Sequence, residues 1–327
     1  MKIVVSANDK YAAIFREIIR DEAEVILTDR TPESILAGLK DAEILASNRV
    51  PRKYIEAAPK LQFIQTFSAG VEDIDFESIM ERGNITVSNS HINAAEVAEY
   101  AITLLFTVAK NIIVNDRELR KGNWEYAFGG PSPNIEIRNK TCLIIGLGNI
   151  GSEIARRLRA FNMRLLAATR SGISEYSDLV DNLVKISDAQ PLVEESDFII
   201  LSLPLTPESE GLVDSTFLSW MKPTSIIVNI SRGPIINERA LYDALKEKRI
   251  YGAGLDVWWR YPSKWRGKGV PPSDIPIQDL DNIVVSPHRA GYSENTEREY
   301  FRFAAENILR FIHGDKPLNI VDPKNGY

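Results

Sequence analysis

Short runs dominated by Ile, Val, Leu and Phe alternate along the chain with stretches of helical length. The first runs stand at 2–6, 24–27, 43–46, 63–67 and 86–88, and strands alternating with helices predict parallel β-α-β units. Pro32, Pro51 and Pro59 fall in the connections or at helix ends, where a residue without an amide donor does least damage. From 94 to about 120 the period becomes helical, with Val97, Ala101, Leu104, Leu105 and Val108 on one face, and predicts a single long connecting helix.

Positions 121–139 break this rhythm with Gly122, Gly129, Gly130, Pro131 and Pro133, among which stand Trp124, Tyr126 and Phe128, so the segment reads as a loop that packs on something. A second series follows, with strands at 141–145, 164–168, 198–202, 225–230, 251–255 and 282–286 and helices at 150–161 and 237–247. A last helix near 293–312, ended by Gly314 and Pro317, is long enough to return to the first domain. The pattern predicts an α/β protein of two doubly wound parallel-sheet domains with a cleft between them. One comprises 1–98 and 293–327; the other comprises 99–292 and includes the connecting helix and loop at 99–139. The segment 258–276 is atypical, with Trp258, Trp259 and Tyr261 beside Arg260, Lys264, Arg266 and Lys268.

Composition narrows the function. A length of 327 residues suits two domains, and 44% hydrophobic with 26% charged residues excludes disordered and collagenous classes. The longest stretch without Asp, Glu, Lys or Arg, 83–95, is short and polar, so no membrane span is expected. Asp9 and Lys10 stand where a signal peptide would be apolar, so a cytoplasmic protein is expected. The single cysteine, Cys142, excludes an internal disulfide, and no His, Cys and carboxylate cluster has metal-ligand spacing, so no metal is expected. A net charge of −6 argues against a nucleic-acid partner.

Gly146-Leu147-Gly148-Asn149-Ile150-Gly151 follows an apolar run and opens an amphipathic helix. In that context Gly146 permits a tight turn, Gly148 lets the backbone approach a pyrophosphate, and Gly151 lets helix and strand pack closely, while the helix N-terminus supplies amides and positive partial charge. An NAD site normally has an acidic residue at the end of the next strand; eighteen residues after Gly151 stand Thr169, Arg170 and Ser171 instead. A guanidinium flanked by hydroxyls suits a 2′-phosphate, so NADP (NADPH) is favoured over NAD.

Three histidines can exchange protons. His313 lies in a last helical turn, where the helix dipole alone favours it; His91 precedes the connecting helix, as a cap or a substrate contact. His288, in Ser286-Pro287-His288-Arg289, follows a strand of the second series, and ligands of open α/β sheets bind at the carboxyl ends of strands, so it is the favoured general acid/base. Arg232, in Ser231-Arg232-Gly233, is placed likewise, and its planar fork suits a carboxylate.

Together these pieces resemble the D-isomer-specific 2-hydroxyacid dehydrogenase family over nearly the whole chain. The resemblance is carried by Ala57-Ala58-Pro59-Lys60-Leu61, Ser68-Ala69-Gly70-Val71-Glu72-Asp73-Ile74-Asp75, Asn93-Ala94-Ala95-Glu96, the glycine motif, Leu203-Pro204-Leu205-Thr206-Pro207-Glu208, Ser231-Arg232-Gly233, Leu255-Asp256-Val257 and Pro287-His288, in the family's order. It implies a flavodoxin-like substrate domain, a Rossmann cofactor domain and a homodimer packed through the connecting helix and the Trp124 loop. It also implies roles: Arg232 and His288 in catalysis, and the backbone of Ala69, Gly70 and Val71 on the substrate carboxylate. Cofactor would be held by Gly146, Gly148, Asn149, Ile150, Gly151, Thr169, Arg170, Ser171, Leu203, Pro204, Ser209, Ile230, Ser231, His288 and Gly291, with Asp256 beside the nicotinamide carboxamide. The family pattern departs at one point: the glutamate usually paired to the histidine is Tyr261 here, followed by Pro262. Tyr261 is the candidate replacement in that dyad. The expected activity is hydride transfer between NADPH and a small 2-oxo acid of the glyoxylate or hydroxypyruvate type. A dinucleotide-sensing regulator on the same fold, and a formate- or phosphite-type dehydrogenase, are the competing readings.

Overall fold

The chain begins β1 (Lys2–Ser6), α1 (Asp9–Ile19), β2 (Glu24–Thr28), α2 (Pro32–Leu39), β3 (Ile44–Ala46), α3 (Arg52–Ala57), β4 (Phe63–Gln65), α4 (Phe76–Arg82), β5 (Thr86–Ser88) in a computed structural model that describes residues 1–7, 9–263 and 267–324. All five strands are parallel, in the order β2-β1-β3-β4-β5, the flavodoxin-like arrangement. The alternation of strand side chains builds two cores: Val4, Leu45, Ile64 and Val87 face one layer, and Ile3, Val5, Ile44 and Phe63 the other. Local chemistry sets the helix ends. Thr31 caps α2 ahead of Pro32, and Asp75 caps α4 by accepting the Ser78 amide, while Gly83 closes α4 in a left-handed conformation.

The second series begins with α5 (Ala94–Ala109) and α6 (Ile112–Arg120) and continues β6 (Thr141–Ile145), α7 (Asn149–Arg159), β7 (Arg164–Thr169), β8 (Asn182–Lys185), α8 (Gln190–Glu195), β9 (Phe198–Leu201), α9 (Ser215–Trp220), β10 (Ile226–Asn229), α10 (Glu238–Lys246), β11 (Gly252–Leu255) and β12 (Ile283–Val285). Its seven parallel strands run β12-β11-β10-β9-β6-β7-β8, a doubly wound sheet with its switch point between β6 and β9. The predicted single connecting helix is two helices, bent by 59° where Asn111 takes a left-handed conformation. The five predicted apolar positions of α5 are all buried, whereas α6 buries none of its residues, so packing holds only the first part straight on the sheet. β8 was not expected: Asn182-Leu183-Val184-Lys185 is too short and too polar to stand out by pattern, and pairing with β7 makes it a strand.

The last helix, α11 (Thr296–Ile312), packs on the first sheet through Phe301, Ala304, Ala305 and Ile308. Buried Asn307 donates to Gln65 Oε1 at 2.7 Å and accepts from the Leu318 amide at 2.7 Å, which ties helix and tail to β4. The chain thus divides into Met1–Asn93 with Tyr292–Tyr327, and Ala94–Gly291. The first crossing comes at Asn93, ahead of the expected 98, because α5 packs on the second sheet from its first turns. Among the described residues no single helix is long and apolar enough to cross a membrane, and no group of His, Cys, Asp and Glu is arranged to hold a metal. Cys142 is buried in β6, and burial pushes its thiol pKa far up, so it is an inert core residue.

Candidate active site

Parallel strands expose all their carboxyl ends on one sheet edge, so strand order dictates the order of the loops there. From β12 to β8 that edge carries His288, Asp256, Arg232, the 202–204 turn, the Gly146–Gly151 turn, the 169–171 loop and Lys185. Adjacent strands lie about 4.8 Å apart, so the loops after β10, β11 and β12 form one neighbourhood and those after β7 and β8 another, with the glycine turn between.

The glycine turn is sterically determined. Gly146 has φ of 97°, and a Cβ there would lie 2.5 Å from the Ser202 carbonyl; a Cβ on Gly151 would meet the Gly146 carbonyl at 2.1 Å. Ser202 Oγ donates to Gly146 O at 2.7 Å, joining the ends of β9 and β6. At Gly148 a Cβ would meet nothing within 4 Å: the space in front of it is open, and no side chain caps α7. First-turn amides of an uncapped helix facing open space fit a pyrophosphate. Asn149 is tied to Tyr176, whose hydroxyl donates to its Oδ1 at 3.1 Å, and Ile150 packs on the core.

At the next loop the structure alters the expected roles. The Thr169 and Ser171 hydroxyls both donate to the Ile173 carbonyl, at 3.2 and 3.3 Å, so they shape the turn and do not point their protons at a ligand. Exposed Arg170 carries the charge there. Glu208 lies within its electrostatic reach: the Glu208 pKa is lowered, first by the Thr206 hydroxyl and in lesser part by Arg170. Ser209 is also a loop former, buried and donating to Pro204 O at 2.7 Å. Ser231 donates to Leu201 O at 2.8 Å and accepts from the Leu203 amide at 3.0 Å, which pins the Leu203-Pro204 turn beside β10, where Ile230 is buried.

Arg232 is braced rather than loose. Asn229 Oδ1 accepts the Ser231 amide at 2.9 Å, its Nδ2 donates to the Arg232 carbonyl at 2.9 Å, and the guanidinium donates to Ser231 O at 2.8 Å. His288 has φ of 56°, in the left-handed region that non-glycine residues seldom enter. Asp256 holds the turn in that shape. Its carboxylate is wholly buried and accepts from the Ser286 hydroxyl, from the Arg289 amide at 2.8 Å and from the Ala290 amide at 2.8 Å. Through these bonds Asp256 braces the turn that carries His288.

Tyr261 meets His288 as the sequence led us to ask. Its hydroxyl lies 2.9 Å from His288 Nδ1 and accepts the Trp258 amide at 3.1 Å. Tyr261 engages Nδ1, so Nε2 is the ring nitrogen proposed to exchange a proton with a ligand. Trp258 is buried and donates from its indole to Ser286 O at 2.8 Å; Trp259 donates to Ile236 O at 2.9 Å. Trp258 and Trp259 therefore pack into the core while Tyr261 stays exposed, and Lys264 and Arg266 lie outside the described residues. Arg260 pairs with Asp274, Lys268 is exposed, and Gly291 ends the unit.

In the first unit, the 67–71 loop at the end of β4 is shaped by two asparagines that the sequence reading passed over. Asn48 Oδ1 accepts the Phe67 and Ser68 amides at 2.7 and 3.2 Å, and Asn89 donates to Ala69 O at 2.9 Å. Among the described residues nothing accepts from the amides of Ala69, Gly70 and Val71, three successive donors of the kind that bind a carboxylate. His91 is half-buried, and burial lowers its pKa, which favours the neutral ring. His313 pairs with Glu22 at the far end of α11, a structural contact.

Residues 102–290 match the model of the D-isomer specific 2-hydroxyacid dehydrogenase NAD binding domain. The chain is 33% identical over 301 residues to the glyoxylate reductase of Korarchaeum cryptofilum, covering 90% of this chain and 88% of that enzyme. It is also 33% identical over 314 residues, 94% of this chain, to the D-3-phosphoglycerate dehydrogenase of Methanocaldococcus jannaschii, of whose length it spans 57%. Among solved structures, an acyclic imino acid reductase in complex with NADPH and D-Arg superposes with a TM-score of 0.83 at 28% identity, covering 98% of this chain and all of that one. An NADPH-dependent glyoxylate/hydroxypyruvate reductase from Sinorhizobium meliloti, in complex with NADP and malonate, gives 0.78 at 26% identity, with 99% and 97% covered.

Proposed function

From the premise that this chain belongs to the D-isomer specific 2-hydroxyacid dehydrogenase family, we propose that it reduces a small 2-oxo acid, of the glyoxylate or hydroxypyruvate kind, with NADPH. One observation carries the reading: Arg232, Asp256 and His288 follow three adjacent strands, so a carboxylate binder and a braced proton donor share one end of the edge whose middle is the glycine turn.

Bound there, the nicotinamide cofactor supplies the hydride. Arg232 holds the substrate carboxylate and draws electron density from its carbonyl oxygen. His288 Nε2 gives its proton to the oxygen as the carbonyl carbon is reduced, and recovers one from solvent. Oxidation of the D-2-hydroxy acid runs these steps backwards, with Nε2 taking the proton. Tyr261 keeps the ring oriented throughout.

The test is turnover. Purified protein mixed with NADPH and glyoxylate, hydroxypyruvate or pyruvate should oxidise the nucleotide, followed by its absorbance; no oxidation with any of the three overturns the proposal. A second reading, reduction of a 2-imino acid, is favoured by the neutral hydroxyl at His288 Nδ1 and by the likeness to the imino acid reductase. An iminium group brings its own proton, so hydride addition to it yields an amine with no acid needed. Running the same assay with methylamine added and analysing the product for N-methyl amino acid separates the two.

We also propose a homodimer. Ile112 and Ile113 on α6 are half exposed, and Trp124 and Phe128 in the following loop are exposed at 72% and fully, more apolar surface than a monomer ordinarily shows in one segment. Light scattering behind size exclusion should give twice the chain mass, and Trp124→Ser with Phe128→Ser should lower it toward one. A wild-type mass of one chain overturns the dimer.

A further inference from the structure

We propose that Lys185 is a second cation of the nucleotide site, recognising the 2′-phosphate together with Arg170. The inference rests on the NADP reading above and adds a residue to it. Three observations converge on it. The register of the sheet pairs Lys185 with Thr169, so the last residue of β8 stands beside the loop that carries Arg170, on the same carboxyl edge. The Lys185 stem lies along that loop: a Cβ added to Gly172 would sit 2.9 Å from Lys185 Cγ, so the glycine is the space the stem occupies. Lys185 is exposed, and among the described residues no carboxylate lies within ion-pair distance of its ammonium.

The chemistry follows from strand order. With pyrophosphate at the Gly146–Gly151 turn and the Arg232–His288 group toward β12, the adenosine half of the cofactor lies toward β7 and β8. A phosphate on its 2′-oxygen carries nearly two negative charges, and one guanidinium leaves part of that uncompensated. The Thr169 and Ser171 hydroxyls are turned onto the Ile173 carbonyl, so the remaining charge must be met by another group. Lys185 is the cation the fold supplies beside that loop. Glu208, within reach of Arg170, offsets part of the guanidinium charge and adds to what the lysine has to contribute.

The test is binding, without turnover. Titration calorimetry should show adenosine 2′,5′-bisphosphate binding the wild type more tightly than 5′-AMP. Lys185→Gln should weaken the bisphosphate roughly ten- to a hundredfold, the range of one lost charge-assisted hydrogen bond, and leave 5′-AMP unchanged; Lys185→Arg should keep most of the affinity. Unchanged 5′-AMP affinity also reports that the variant is folded. A wild type that binds both nucleotides equally defeats the NADP reading itself. A wild type that prefers the bisphosphate while Lys185→Gln prefers it just as strongly overturns the assignment of Lys185 and leaves that reading standing.

Discussion

Replacing His288 should lower the rate of 2-oxo acid reduction by roughly 10²–10⁴-fold, the usual contribution of a positioned general acid, with NADPH affinity near that of the wild type. Two variants are needed because of the backbone. His288 has φ of 56°, which alanine tolerates poorly and asparagine well, so a loss in His288→Ala alone would mix lost chemistry with a distorted turn. His288→Asn keeps a polar atom facing Tyr261, suits the left-handed conformation and cannot serve as the acid. Both variants should fail in stopped-flow reduction while binding NADPH by fluorescence; a full rate in His288→Asn would remove the imidazole from the mechanism. Tyr261→Glu should extend reduction to higher pH. A carboxylate beside the ring favours the charged imidazole, so the protonated acid persists as pH rises, and the alkaline limb of the pH profile moves upward. An unmoved limb would mean that the 2.9 Å contact does not govern the proton.

The second large effect is expected at Asp256, and it should appear first as instability. The buried carboxylate accepts from the Ser286 hydroxyl and from two amides at 2.8 Å, and Asp256→Ala leaves these donors without an acceptor at a cost of about 1–3 kcal/mol for each. Thermal unfolding should therefore begin several degrees lower. Because the same bonds hold the turn from Ser286 to Ala290, kcat should fall with the stability. Asp256→Asn keeps one acceptor oxygen and should lie between. A residue that only touched the nicotinamide would behave otherwise: the variant would unfold like the wild type and lose NADPH affinity. That pattern, if measured, would return Asp256 to the cofactor.

Much of the site could be read without coordinates where chemistry is local. A Gly-x-Gly-x-x-Gly between an apolar run and an amphipathic helix has few other uses, and Gly146 and Gly151 stand where any Cβ would strike backbone. Arg232 and His288 were legible because each follows a strand, and parallel sheets place such positions on one edge. Tyr261 could be singled out as the residue standing in for a carboxylate, although its contact with Nδ1 needed the fold.

What consecutive letters do not show depends on how the chain folds, whether over a few residues or over many. Thr169 and Ser171 look like phosphate donors until the turn brings Ile173 O to both hydroxyls. That Asp256 also braces a turn has no local sign, because the Ser286 hydroxyl it accepts from stands 30 positions further on. The connecting helix looks continuous because helical periodicity persists past Asn111; only the sheet, which ends beneath α5, decides where the chain turns away. Asn48 and Asn89 carry no local signal, since their work is to hold a loop that starts elsewhere.

The sequence by itself determined that there are two wound parallel sheets, where the dinucleotide turn lies and which histidine follows a strand. Periodicity, turn sterics and strand polarity act over a few residues and are written in consecutive letters. The tertiary structure alone decided which polar groups are consumed in bracing and which remain to do chemistry. Hydrogen-bond partners are chosen by proximity in space, so strand order, by setting Lys185 beside the Arg170 loop and Asp256 beneath His288, assigns roles that no stretch of sequence contains.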